Sequence, residues 1–229
     1  PIEFMAATLS ALKEDLVEVS KFVAESKRMG IDVVTPDVNY SEDRFAINDK
    51  NQIVFALSSI KNLKDSTIKD IVRERQHKPF KSLEDFCERV NLKTASIRGV
   101  EVLISSGALD IFRPEDRDIT EWRAALLSSA QGILDYSGSV HKHVKSSQMS
   151  WFGEKNGLSL NINYIGRVDE DAVWKLEGEV LGLMVSHNPV EGYYPLFNRG
   201  FTPISLLGEI HNGAKIKTIG LVREVKSIV

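Results

Sequence analysis

A mainly α-helical fold with small β elements is predicted by three features of the sequence. Apolar residues recur at three- and four-residue steps through most of the chain, capping residues break these stretches into short helices, and strand-like runs are few and brief. The 229 residues carry 29 Lys and Arg against 32 Asp and Glu, a net charge of −3, which excludes a wholly basic nucleic-acid coat and an acidic disordered tail. An apolar share of 42% and a charged share of 27% suit a globular protein with a real core, and the length allows one large domain or two small ones.

The single cysteine, Cys87, excludes an internal disulfide and a cysteine-rich zinc site and fits a reducing compartment. Apolar runs such as Val180–Val185 fall far short of the roughly 20 residues that span a bilayer, so no membrane partner is expected. The start, Pro1–Met5, lacks the basic region and long apolar run of a secretory signal.

Taken in order, Leu9, Leu12, Leu16, Val19, Phe22 and Val23 predict one amphipathic helix over 9–29, stopped by Gly30. Ile31–Val34, Phe45–Ile47 and Ile53–Phe55 read as short strands of a small ribbon, set apart by Asn39, Asp43, Asn48 and Asp49. Short helices follow over Leu57–Asn62, Ser66–Gln76, Ser82–Val90 and Thr94–Ser106, with Ser66 and Ser82 as N-caps and Gly107 as the stop. A longer helix is expected over 116–136, and the Ser-, Gly-, His- and Lys-rich residues 137–164 read as a linker. Another helix is expected over 169–184. Beyond Pro189, Phe201–Leu207 and Lys215–Val229 look strand-like, and a last strand without partners suggests a truncated fragment.

Residues 57–75 carry the most chemistry. Two short helices joined by Asn62-Leu63-Lys64-Asp65, with Leu63 tucked inward, have the layout of a helix-hairpin-helix, whose turn amides and second helix N-terminus face a phosphate. Over 60–105, ten basic residues meet seven acidic ones, a surplus of three, whereas the first 59 residues hold six basic and ten acidic. The same stretch also reads as an antiparallel helix pair whose charges form only a solvated face.

This segment, with Pro79–Val90 and Val102–Asp110 after it, resembles the tandem helix-hairpin-helix region of C-family bacterial replicative DNA polymerases, the DNA polymerase III alpha subunits. Upstream, Pro1–Ala7 and Lys27–Asn39 are similar to the end of that family's fingers domain, and downstream Glu179–Pro189 is similar to the segment before its OB domain. The match of Pro1–Phe4 favours native sequence over a cloning scar. The resemblance implies the end of the fingers over 1–56, a tandem hairpin module for duplex DNA over 57–136, a clamp-binding linker over 137–164, a helical connector over 165–210 and the start of a truncated OB domain over 211–229. The expected DNA-binding residues are Lys61, Asn62, Leu63, Lys64, Ser66 and Thr67 in the first hairpin, and Lys93, Thr94 and Arg98 in the second. Asn62 and Lys64 stand where the family usually has glycines, so the first hairpin is expected to bind phosphate more by lysine charge than by amides.

Gln148-Met149-Ser150-Trp151-Phe152 resembles the family's internal sliding-clamp motif, an extended peptide with Trp151 and Phe152 as anchors and Gln148 fixing register. The pair Trp151-Phe152 taken alone also reads as core. The resemblance thus implies a piece of a DNA-directed DNA polymerase with duplex DNA, the β sliding clamp and other replicase subunits as partners in the bacterial cytoplasm. No catalytic or metal-binding residue is expected here, since the family's palm carboxylates, with their Mg2+, should precede Pro1. A helical protein-interaction module without DNA affinity is the competing class. His141 and His143 read as solvated loop residues, Asp110, Asp116 and Asp118 as N-capping residues, and Cys87 as a small core hydrophobe.

Overall fold

In the computed structural model, which describes residues 1–145, 159–187, 193, 195, 200–202 and 204–220, Asp15 splits the first predicted helix in two. Helix α1 spans Ile2–Ala11 and α2 spans Leu16–Arg28. The Asp15 carboxylate accepts the Val17 and Glu18 amides at 3.0 and 3.1 Å, a cap that starts a new helix where the apolar period alone runs on. The predicted ribbon forms as β1 (Val33–Val34), β2 (Ala46–Ile47) and β3 (Ile53–Val54), in the order β1-β3-β2. Strand β3 pairs parallel with β1 and antiparallel with β2, with Val33 opposite Ile53 and Ala46 opposite Val54.

A 3₁₀ turn at Leu57–Ser59 leads to α3 (Asp65–His77), then α4 (Leu83–Arg89), a 3₁₀ turn at Leu92–Thr94 and α5 (Ser96–Ser105). Ser82 caps α4 by accepting the Asp85 amide at 3.2 Å, as expected, but α3 starts at Asp65, so Ser66 is not its cap. After α5, Gly107 adopts φ +83°, where a side chain is strained, and Ala108 N–H returns to the Leu103 carbonyl at 3.1 Å.

The long helix expected over 116–136 is also two: α6 (Ile119–Ser128) and α7 (Ala130–Lys145). Ser129 stands between them, its hydroxyl accepting the Asn163 amide at 2.7 Å while its carbonyl takes the Ile133 amide. Residues 137–145, predicted as linker, therefore continue α7, and His141 and His143 lie in a helix and not in a loop. Ser137 shows why: its buried hydroxyl donates to the Val90 carbonyl and accepts the Leu92 amide, tying α7 to the second hairpin. Helix α8 spans Glu170–Leu181, capped by Asp169 and ended by Gly182 at φ +81°.

The core runs from α1 to Val185 around Phe55, Leu57, Ile71, Phe86, Leu103, Ile104 and Leu109. Cys87 belongs to it as predicted, and burial pushes its thiol pKa up. Inside the same unit lies Arg123, fully buried. Its Nε reaches both Asp110 carboxylate oxygens at 3.1 and 3.0 Å, Nη2 reaches Asp110 Oδ2 at 2.6 Å and Ser186 Oγ at 2.9 Å, and Nη1 reaches Glu177 Oε2 at 2.5 Å. Burial pulls the guanidinium pKa down, yet Asp110 and Glu177 outweigh it and hold the group above its ordinary value. Asp110, expected as a helix cap, is this ion-pair partner instead.

Asp118 does cap α6, accepting the Thr120 hydroxyl at 2.6 Å and the Thr120 amide at 2.7 Å, which hold its carboxyl below the usual range. Asp118→Ala should cost about 1 kcal/mol in urea unfolding. A depressed folded pKa gives stability that is present above the unfolded value and lost as pH falls through the folded one, so the gap from wild type should hold from about pH 7 to about pH 5 and narrow as pH falls below about 4.

The chain divides into two compact units, Pro1–Ser186 and His187–Val229. In the second unit, the strand expected over 201–207 is instead a 3₁₀ turn, Ile204–Glu209. A strand needs a ladder of partners, and among the described residues Thr202 N–H to the Lys217 carbonyl, at 2.6 Å, is the cross-segment backbone bond.

Candidate nucleic-acid interface

The first hairpin turn is built as its residues dictate. Ile60 and Leu63 are buried and anchor it, while Lys61, Asn62 and Lys64 are exposed. Asn62 adopts φ +65°, the left-handed region that glycine enters freely and asparagine more readily than other side chains. Lys64, at φ −77°, needs no glycine. Its carbonyl accepts the Thr67 and Ile68 amides, and no side chain caps α3, so the first amides of this helix remain open at its positive end. Asp65 in the first turn favours the helix dipole and opposes an incoming anion.

Ser66 is exposed beside these amides. Thr67 is fully buried, one helical step from Ile71 on the inner face, and its hydroxyl has no partner among the described residues. Expected as a DNA contact, Thr67 presents no side chain to solvent. Leu63 is likewise an anchor of the turn and presents no side chain to a ligand. The Lys61 amide is also spoken for, donating to the Val180 carbonyl of α8 at 3.0 Å.

In the second hairpin, Asn91 accepts the Lys93 amide at 3.3 Å, and the Thr94 hydroxyl donates to the Asn91 carbonyl at 2.8 Å. Lys93 and Thr94 are exposed. The Lys93 stem lies over α7 where Gly138 leaves room, since a Cβ there would stand 2.0 Å from Lys93 Cε. The two turns meet: Lys64 Nζ donates to the Thr94 carbonyl at 3.1 Å. Arg98 is half exposed and held by Glu101 at 3.5 Å.

Ion pairing sorts the basic surplus of this segment. Arg73 pairs with Asp70 and Glu74, Arg75 is buried against the Val38 and Ser41 carbonyls, and Arg89 binds the Glu74 and Lys78 carbonyls with Asp85 and covers the Phe80 ring at 4.4 Å. Burial, offset by Glu42 and Asp37, lowers the Arg75 pKa. Among the described residues, Lys61, Lys64, Lys69, Lys81 and Lys93 have no carboxylate within 4.0 Å, and of these Lys61, Lys64 and Lys93 stand at the two turns. The structure thus gathers three cations without carboxylate partners at two touching turns, leaves Arg73 paired at the surface, and turns Arg75 and Arg89 to backbone carbonyls. The clamp-motif residues Gln148, Met149, Ser150, Trp151 and Phe152 lie outside the described residues.

Among the described residues, no group of three or more His, Cys, Asp or Glu is placed to hold a metal ion. No helix among them is long and apolar enough to cross a membrane.

Comparison with known proteins gives the context. The family described as a helix-hairpin-helix motif matches residues 30–119. The DNA polymerase III subunit alpha of Thermus aquaticus is 32% identical over 230 residues, covering 98% of this chain and 18% of the relative. Those of Chlamydia pneumoniae and Aquifex aeolicus are 28% identical over 235 residues and 29% identical over 230 residues, covering 98% and 99% of this chain. The chain spans 18% of the length of each of these relatives.

Proposed function

We propose, for a chain that belongs to the DNA polymerase III alpha subunits as a segment of them, that its tandem hairpins hold duplex DNA by the phosphate backbone without reading sequence. The observation that carries this reading is the meeting of two hairpin turns at Lys64 and Thr94, with Lys61, Lys64 and Lys93 unpaired beside the open start of α3. Cations on backbone amides and helix ends position a duplex but carry no base readout. Asn62, Ser66 and Thr94 can add polar contacts to phosphate or sugar, and Arg98 a further cation once Glu101 yields it.

The whole protein is then a DNA-directed DNA polymerase of the bacterial cytoplasm. Its Mg2+-dependent nucleotidyl transfer and its other replicase subunits involve residues beyond these. Gln148–Phe152 is the tether to a sliding clamp, with Trp151 and Phe152 as its apolar anchors. A weak grip on DNA and a separate clamp contact reinforce each other through effective concentration. In a pull-down of the full chain on immobilised clamp, the Gln148→Ala, Trp151→Ala, Phe152→Ala variant should lose retention while still binding duplex. Undiminished retention would remove the tether from the account.

A further inference from the structure

We propose that the last turn of α8 braces the first hairpin, so that Glu177 is a positioning residue for the Lys61–Lys64 turn; this rests on the duplex-binding reading above. The link is the 3.0 Å hydrogen bond from the Lys61 amide to the Val180 carbonyl. Val180 lies in the final turn of α8, where carbonyls have no partner within the helix, so the bond satisfies both groups at once. The next residue, Asn62, holds φ +65°, a left-handed conformation that asparagine enters less freely than glycine.

The brace itself is fixed on three sides. Val180 and Leu181 are buried. Gly182 ends α8 at φ +81°, and a Cβ there would stand 2.8 Å from Leu16 Cδ1, so this end of α8 is seated against α2. Glu177, fully buried one turn earlier, joins Arg123 at 2.5 Å through Oε2 and accepts the Val185 and Ser186 amides at 2.5 and 2.8 Å through Oε1. The order of support runs from Arg123 to Glu177, along α8 to Val180, and across to the turn that presents Lys61 and Lys64. A turn held in its binding shape loses less freedom on meeting a phosphate backbone, which raises affinity without adding a contact.

Two variants of the full chain test this. Glu177→Gln keeps the side-chain shape and an acceptor but removes the charge facing Arg123. Gly182→Ala leaves every cation and the Arg123 network in place, but strains the helix end and meets Leu16. Amide exchange of Lys61, duplex Kd at fixed salt, and the salt slope of binding are read on folded protein below each variant's melting temperature. The Lys61 amide should exchange faster while amides of α4 and α5 keep their protection. Duplex Kd should rise about tenfold, the scale of one lost hydrogen bond. The salt slope should stay unchanged, because no phosphate-contacting cation is lost. Unchanged Lys61 exchange, or unchanged Kd in a variant whose Lys61 exchange has risen, would overturn the brace. Absence of duplex binding by the wild-type chain would instead overturn the duplex reading and the brace with it.

Discussion

Replacing Arg123 with alanine should cost the Pro1–Ser186 unit about 3–5 kcal/mol of unfolding free energy, the scale for a buried ion pair broken from one side. Arg123 and Glu177 are both fully buried, and Asp110 is nearly so, with 18% of its side chain exposed. Removing the guanidinium leaves two carboxylates facing each other in the interior, and takes away the anchor that joins α6 to α8 and to the turn after α5. The guanidinium also lies 5.5 Å from the Trp174 ring centre, so packing is lost with charge. Urea unfolding followed by far-UV circular dichroism measures the loss. A cost under about 1 kcal/mol would mean the network is incidental to the fold. Removing charge from all three partners together, with Arg123→Met, Asp110→Asn and Glu177→Gln, should cost less than Arg123→Ala alone, because no carboxylate is then left unpaired.

Much of this architecture is legible in the sequence, for reasons that can be named. The hairpin module is visible because its signals are local: Leu63 between polar turn residues, Ser82 three residues before Asp85, and Gly107 after an apolar helix. The strands at 33–34, 46–47 and 53–54 show through their β-branched residues and turn punctuation, but nothing local says that β1 and β3 run parallel. Both helix breaks escape a reading by period because the apolar repeat continues through them. Asp15 starts α2 by accepting two amides with its side chain, and at Ser129, between α6 and α7, the hydroxyl accepts the Asn163 amide from a distant segment.

The charge arithmetic is right in sum and wrong in place. Counting residues 60–105 gives a basic surplus but cannot say that Arg75 and Arg89 serve backbone carbonyls inside the fold. Thr67 looks like a hydroxyl for phosphate because it follows the turn, and only the helix phase, set by Asp65 as first residue, turns it inward. The Arg123–Asp110–Glu177 cluster has no sequence signal, since its members stand far apart and each alone resembles a surface charge. One departure from the resembled family is informative as read: at Asn62, where that family usually has glycine, the backbone does adopt a positive φ.

Neutralising Lys61, Lys64 and Lys93 together to glutamine is the second large expected effect, and it bears on the central claim that two touching hairpin turns grip duplex backbone. Each phosphate contact releases condensed counterions, so log K against log salt falls with a slope of about 0.9 per contact on duplex DNA. Removing three cations should flatten that slope by about 2–3 and weaken duplex binding at low salt on the order of a hundredfold or more. The fold should hold, because these side chains are exposed and pair with no carboxylate among the described residues. The deciding measurement is the salt dependence of duplex affinity for the wild-type chain and this triple variant, on two duplexes of unrelated sequence. The account predicts equal affinity for both duplexes and a flatter slope in the variant. An unchanged slope, or no duplex binding by the wild-type chain even at low salt, would contradict it and leave a helical module that packs against another protein.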